Sequence, residues 1–249
     1  MPKRTSFALW PVLALLLVIA AVLVGANTLL NTLLLSFAER TAAQSIQDRL
    51  GLENKPGVEL ESASPANVLA GEFSGGQISI EDTQFGGVRA ERATIDLDPF
   101  DISVLDSASS GVLRSEEPLS GTLLVNIPEE EVGRLARVGA DVQVRGVDLH
   151  RDGMLVRSAA PLLGVEVPVS IRGTLHLPGE ELVFEPHRVE ALGSTLPEGL
   201  AEQALAGTDF AYPLGGLPYG AKISEVEAQE GNLSLSGEVE RIPLGGSGG

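Results

Sequence analysis

Between Val165 and Leu177 the chain alternates without a break. The odd positions read Val165, Val167, Val169, Ile171, Gly173, Leu175 and Leu177, and the even ones Glu166, Pro168, Ser170, Arg172, Thr174 and His176. Period two over this length predicts a strand with one buried and one wet face, and Pro168 points to an edge position or a bulge. Turn signals flank it and recur: Pro178-Gly179, Arg151-Asp152-Gly153 and Glu230-Gly231-Asn232 each read as a hairpin connection. Val142 and Val144 alternate as well, and the parity slips at Gly146 before Val147 and Leu149. A slip beside glycine predicts a β-bulge.

Helical periodicity is confined to a few places. Ala38, Ala42, Ile46 and Leu50 recur every fourth residue with Glu39, Arg40, Gln44, Gln47 and Asp48 between them, ending at Gly51. The stripe is thin, so this helix is read either as docked on the following domain or as a bare stalk. Pro128-Glu129-Glu130-Glu131 opens a second helix, with acids at the positive end of its dipole and Arg134, Arg137 and Gly139 closing it. A third is predicted from Ser194 through Leu205, ended by Gly207. From Val58 onward strands otherwise dominate. The expected fold class is mostly β with a few helices (α+β), a large curved antiparallel sheet packed around or against helices.

One further pattern precedes all of this. Thr5 to Ala38 carry no charged side chain, and Lys3 and Arg4 stand just before them. About 20 apolar residues cross roughly 30 Å of hydrocarbon, so a transmembrane helix is expected, with Lys3 and Arg4 on the cytoplasmic side. The expected organisation is residues 1–6 cytoplasmic, 7–29 a transmembrane signal anchor and 30–52 a helix leading out of the membrane. A β-rich domain, 53–243, and a flexible tail, 244–249, follow. The protein is thereby expected in the cell membrane, single-pass, with its C-terminal domain extracytoplasmic. The competing reading is a secreted protein cleaved after Val24-Gly25-Ala26. Apolar residues continue past Ala26 through Leu29, Leu30, Leu33, Leu34, Leu35 and Phe37, longer than a signal core, which favours an uncleaved anchor.

Charge and chemistry narrow the function by exclusion. Of 17 basic residues Lys3 and Arg4 lie before the span, leaving 15 against 34 acidic ones, a formal charge of −19 beyond it. Nucleic acid and a polybasic grip on anionic lipid are both disfavoured by that sign. The lone tryptophan, Trp10, lies within the expected span, leaving Tyr212 and Tyr219 as the large polar-tipped rings of the domain, a poor supply for stacking sugars. With no cysteine there is neither a disulfide framework nor a thiolate for zinc. His150, His176 and His187 stand at turns or on polar strand positions without metal-ligand spacing, so no metal and no cofactor are expected. Gly245-Gly246-Ser247-Gly248-Gly249 matches the nucleophile-elbow pattern but lacks the strand and helix that give it meaning. Asp96, Asp98 and Asp101 are the one acidic cluster that invites a glycosidase reading, and solubilising carboxylates on a wet face explain them as well. No catalytic residue is assigned, and the protein is not expected to be an enzyme.

What remains is a long aliphatic sheet face and few helices to cover it. Apolar surface left in water forgoes about 25 cal/mol per Å². Either the sheet covers itself, as a structural or interaction protein of the envelope would, or the N-terminal helix lies in its groove, or a lipid chain shares the space.

Particular residues add a family resemblance. The Ala-rich helix Glu39–Leu50, the run Val68-Leu69-Ala70-Gly71-Glu72-Phe73 leading to Ile78-Ser79-Ile80, the helix start at Ile127–Glu130, and Gly216-Leu217-Pro218-Tyr219-Gly220-Ala221-Lys222-Ile223 before the closing hairpin resemble the LmeA-like phospholipid-binding proteins of bacterial envelopes. That family in turn looks like a relative of tubular lipid-binding modules, in which a curved sheet wraps a helix. The resemblance implies a phospholipid partner outside the cytoplasmic membrane and transfers no catalytic residue. Bulky residues in or near turns are the expected lipid contacts: Leu69, Phe73, Phe85, Phe100, Leu162, Leu163, Phe210 and Leu217. Arg134 and Arg137 are candidates for a headgroup phosphate, guanidinium forks suiting that geometry.

Overall fold

The computed structural model of the chain describes residues 32, 35–48, 52–85, 87–103, 107, 115, 117–140, 142–162, 165–214 and 220–242. The expected transmembrane segment and the C-terminal tail lie outside the described residues. Among those described, no helix is long and apolar enough to cross a membrane. The chain is mostly β. In order it forms α1 (35–48), β1 (Gly57–Glu61), α2 (Pro65–Ala70), β2 (Glu72–Phe73), β3 (Gly75–Phe85), β4 (Val88–Leu97), β5 (Phe100–Asp101), β6 (Leu119–Pro128) and α3 (Glu129–Gly139). There follow β7 (Gly146–His150), β8 (Gly153–Leu162), β9 (Val165–His176), β10 (Glu181–Ala191), β11 (Ser194–Thr195), α4 (Glu198–Leu205), β12 (Phe210–Pro213), β13 (Lys222–Gln229) and β14 (Asn232–Ile242).

The expected single large sheet is two, with β2 and β5 paired apart from both. The first runs β1-β3-β4-β6-β14-β13, and the second β11-β10-β9-β8-β7, with β12 sharing the outer edge of β10. Alternation dictates which face of a strand is buried but not which strands pair, so one apolar pattern serves two sheets. Cross-strand register lines up the apolar positions of the first sheet in rows. Ile80, Ala93, Val125, Leu235 and Val226 form one row, and Ile78, Ile95, Leu123, Gly237 and Ile223 the next. Such rows are the unit by which a sheet face is stabilised. Close approach of strands is needed to coil this face. At Gly121 an added Cβ would stand 2.2 Å from the Asp96 carbonyl, and at Gly237 2.1 Å from that of Lys222, so no side chain fits either place.

Helices close the inner faces. α1 buries Ala42, Ala43 and Ile46 in the core, and its Glu39 Oε1 accepts a hydrogen bond from the Leu60 N–H at 3.2 Å. It is docked rather than a bare stalk. α3 buries Val132, Leu135 and Ala136 and touches β4, β6 and β14 of one sheet and β7 and β12 of the other. Its first residue fastens the sheets together: Glu129 Oε2 accepts from the Leu149 N–H at 2.6 Å while the Glu129 N–H donates to the Gly231 carbonyl. α4 lies on β8 and β10. One hydrophobic cluster runs through both sheets.

Other expectations shift in detail. The three hairpin turns fall where expected, joining β7 to β8, β9 to β10 and β13 to β14. Pro168 lies in a strand with neighbours on both sides, but beyond the last β10 partner, Ala191 opposite Val169, so no β10 hydrogen bond is lost there. Val142 and Val144 belong to no strand. β7 begins at Gly146, and the register shifts of the sheets fall instead in β10, β13 and β14. Ser194 and Thr195 pair with β10 rather than opening the third helix, which starts at Glu198 after Pro197.

Candidate functional site

The first sheet has two dissimilar ends. At one, the start of β3, the short α2 turns the chain over the sheet edge. Ser64 caps it, accepting from the Asn67 N–H at 3.2 Å, Pro65 occupies its first turn, and Gly71 ends it with φ 87°. β2 and β5 then pair and bring Phe73 onto Phe100, the rings stacked at 5.1 Å and 11°. The Ile102 N–H donates to the Gly71 carbonyl and locks the return. Phe73 is buried and Phe100 half-buried, while Leu69, on α2 beside them, is 60% exposed. Three of the expected lipid contacts thus meet at this end, as one exposed aliphatic residue over a stacked aromatic pair.

The remaining candidates do not join them. Phe210, in β12, is buried against Phe184 of the second sheet, with ring centroids at 5.6 Å. It packs within the core of the second sheet, away from the α2 end. Phe85 ends β3 at the opposite end of that strand from Leu69, and Leu162 ends β8. Leu163 and Leu217 lie outside the described residues.

The opposite end of the sheet is polar. Ile80 and Ile78 face inward, but beyond Asp82, whose φ is 47°, the inward residue becomes Thr83, and β4 changes parity across the same level, between Ala90 and Ala93. The hairpin tip thereby folds against α3. A cleft of about 720 Å³ opens beside it. Its charged lining is Glu53, Glu81, Asp82 and Glu131 against Arg89 and Arg134, acidic in balance.

Arg134 lies in this cleft already engaged. Its Nε donates to Glu131 Oε2 at 2.9 Å and its Nη2 to Glu131 Oε1, and the same Nη2 donates to the Gly87 carbonyl at 2.7 Å. The Arg89 N–H donates to Glu131 Oε1 at 2.9 Å. Glu131 is buried, and the hydrogen bonds from Arg134 hold its carboxyl below the usual range against the opposing effect of desolvation, with the Arg89 N–H adding to the depression. The group therefore pins α3 to the β3–β4 hairpin. Arg137 stands exposed in the last turn of α3, where its charge complements the helix end. Of the two expected headgroup cations, Arg134 lines the cleft with its charge balanced, and Arg137 does not line it. The Glu131–Arg134 pin was not expected, although acid and guanidinium three apart on one helix are its sequence signal.

The acidic trio sits on outer positions. Asp96 Oδ1 accepts from Gln77 Nε2 at 2.7 Å and Asp98 Oδ2 from Ser120 Oγ at 2.6 Å, while Asp101 is exposed in β5. His150 lies 3.3 Å from Glu230 and His176 4.0 Å from Glu185, both exposed pairs. Among the described residues no three His, Cys, Asp or Glu side chains are grouped to hold a metal.

Fold and site together define a helix-packed β protein with two large sheets and one aliphatic cluster running through both, with an aromatic stack beneath an exposed leucine at one end and a polar cleft at the other. The family model described as LmeA-like phospholipid-binding matches residues 30–238, and the chain belongs to that family. No curated protein and no solved structure matches it.

Proposed function

We propose that this is a membrane-tethered, extracytoplasmic phospholipid-binding protein that holds or transfers lipid in the cell envelope without chemical change to it. Acyl chains are buried against the aliphatic rows of the first sheet, entering between it and α1, which buries Ala42, Ala43 and Ile46 and packs Leu35 and Ala38 against the core. The tether is the apolar segment 7–29, with Lys3 and Arg4 on the cytoplasmic side. The observation that carries the reading is membership of a phospholipid-binding family across residues 30–238. The uncharged aliphatic rows supply the physical means, since each acyl methylene removed from water contributes about 0.8 kcal/mol.

A second reading has its own support: the same rows are already packed against α1 and α3 in one cluster, as in a self-covered interaction protein. Competition distinguishes them. A fluorescent acyl probe should bind saturably and be displaced by unlabelled phospholipid under the first reading. A protein that takes up neither probe nor phospholipid supports the second.

A further inference from the structure

The path of α1 gives the molecule a direction relative to a membrane. Glu39, near its start, bonds to Leu60 of β1, and Glu61 next to it pairs with Gly75 at the beginning of β3. Beyond its end, Leu52, whose N–H donates to the Gln47 carbonyl, lines the polar cleft with Ile80 and Gln84. α1 therefore runs alongside β3 in the same sense, starting at the α2 end. The uncharged stretch that begins at Thr5 leads directly into that start. Two large apolar side chains are exposed at this end, Phe37 on the opening turns of α1 at 74% and Leu69 on α2 at 60%. Single exposed apolar side chains such as Val138, Val165 and Leu192 need no explanation, but these two stand on separate elements at the point of chain entry.

We infer that the α2 end of the first sheet docks on the lipid bilayer, with Phe37 and Leu69 inserted into its surface and the Phe73–Phe100 stack standing just behind them. The inference rests on the tether of the proposed function and names the side from which lipid would reach the interior. Charge does not drive the contact. Glu59, Glu61, Glu72 and Asp101 are exposed around this end, so attraction to an anionic surface is excluded and apolar insertion acts alone. The tether compensates by keeping the domain at high effective concentration at the surface. The polar cleft, lined by β3 from Ile80 to Gln84 and so about 17–30 Å from the start of that strand at roughly 3.3 Å per residue, faces the aqueous side.

The chain has no cysteine, so a single introduced thiol labels one site. Full-length Leu69→Cys and Gln84→Cys variants, both at exposed positions, are labelled with an environment-sensitive dye. They are reconstituted in phosphatidylcholine vesicles with and without a lipid spin-labelled on its acyl chain. The expected result is several-fold stronger quenching at position 69 than at position 84. Equal quenching at the two sites, or stronger quenching at 84, overturns the docking face. Lipid extracted from the purified variants is measured in parallel. Bound lipid with unquenched position 69 overturns the docking face and leaves lipid binding intact, whereas quenching at 69 without bound lipid supports the face and removes the cavity.

Discussion

Arg134 holds Glu131 with two nitrogens on the two oxygens of one buried carboxylate, while the same guanidinium reaches the Gly87 carbonyl in the β3–β4 turn. One ion pair thus serves as the fastening between a helix and a hairpin. Replacing Arg134 by leucine leaves Glu131 buried with only the Arg89 N–H. Hydrogen bonds to charged groups are worth about 1.5–3 kcal/mol, and the Arg134 side chain is 45% exposed, so screening reduces the loss to about 1–2 kcal/mol. The urea midpoint should fall accordingly. An unchanged midpoint would show that the pin is ornamental.

The same pair predicts a pH dependence. The folded-state carboxyl of Glu131 is depressed, chiefly by its hydrogen bonds from Arg134. Its stabilisation is therefore fully present above the ordinary glutamate range, near 4.3, and is lost as pH falls through the folded-state value. As pH falls below the ordinary glutamate range the wild type should lose more stability than Glu131→Gln. Parallel pH profiles for the two proteins would contradict the assignment.

Two glycines should respond in opposite directions to alanine. Gly121→Ala forces a Cβ to within 2.2 Å of the Asp96 carbonyl oxygen, a backbone atom that cannot swing away, and a cost of about 2–4 kcal/mol is expected. Gly199, inside α4, has open space around its added Cβ. Gly199→Ala should stabilise the protein by about 0.5–1 kcal/mol, the helix preference of alanine over glycine. Thermal unfolding of both variants checks the pair.

Leu192 sits at φ 51° in the two-residue turn between β10 and β11, followed by Gly193 at φ 79°, and is 88% exposed. That conformation costs a leucine about 1–2 kcal/mol, and Asn-Gly is the preferred pair for such a turn. Leu192→Asn should raise the melting temperature. A fall would contradict the strain assigned to the leucine at this position.

Docking of α1 is tested at Ile46. Its side chain is buried in the core cluster, so Ile46→Ala should cost about 2–4 kcal/mol, whereas Phe37→Ala, exposed on the same helix, should cost nearly nothing in detergent solution. Equal and negligible effects would return α1 to a stalk.

Much of this architecture was legible in local pattern. The alternation from Val165 to His176, the three glycine-bearing turns and the acid-led helix at Glu129 each report a short-range preference that tertiary context left in place. α2 was missed although its signals are present, Ser64 before Pro65 and Gly71 at the end; a single turn and a half gives no periodicity to read. The division into two sheets was not legible, because strand pairing depends on contacts far apart in sequence. The same limit applied to the site. Phe73 beside a glycine resembles a mouth residue, and only the return of Phe100 buries it. Arg134 resembles a free helix-end charge until Gly87 and Arg89 arrive from another hairpin.

The central claim is that lipid occupies the interior, and native mass spectrometry with lipid extraction, on the full-length chain purified in mild detergent from an expressing bacterium, tests it most directly. The account predicts a stoichiometric adduct of phospholipid mass that survives detergent exchange and yields an identifiable headgroup on extraction. A bare protein that also takes up no added phospholipid would contradict it and leave a sheet that covers itself.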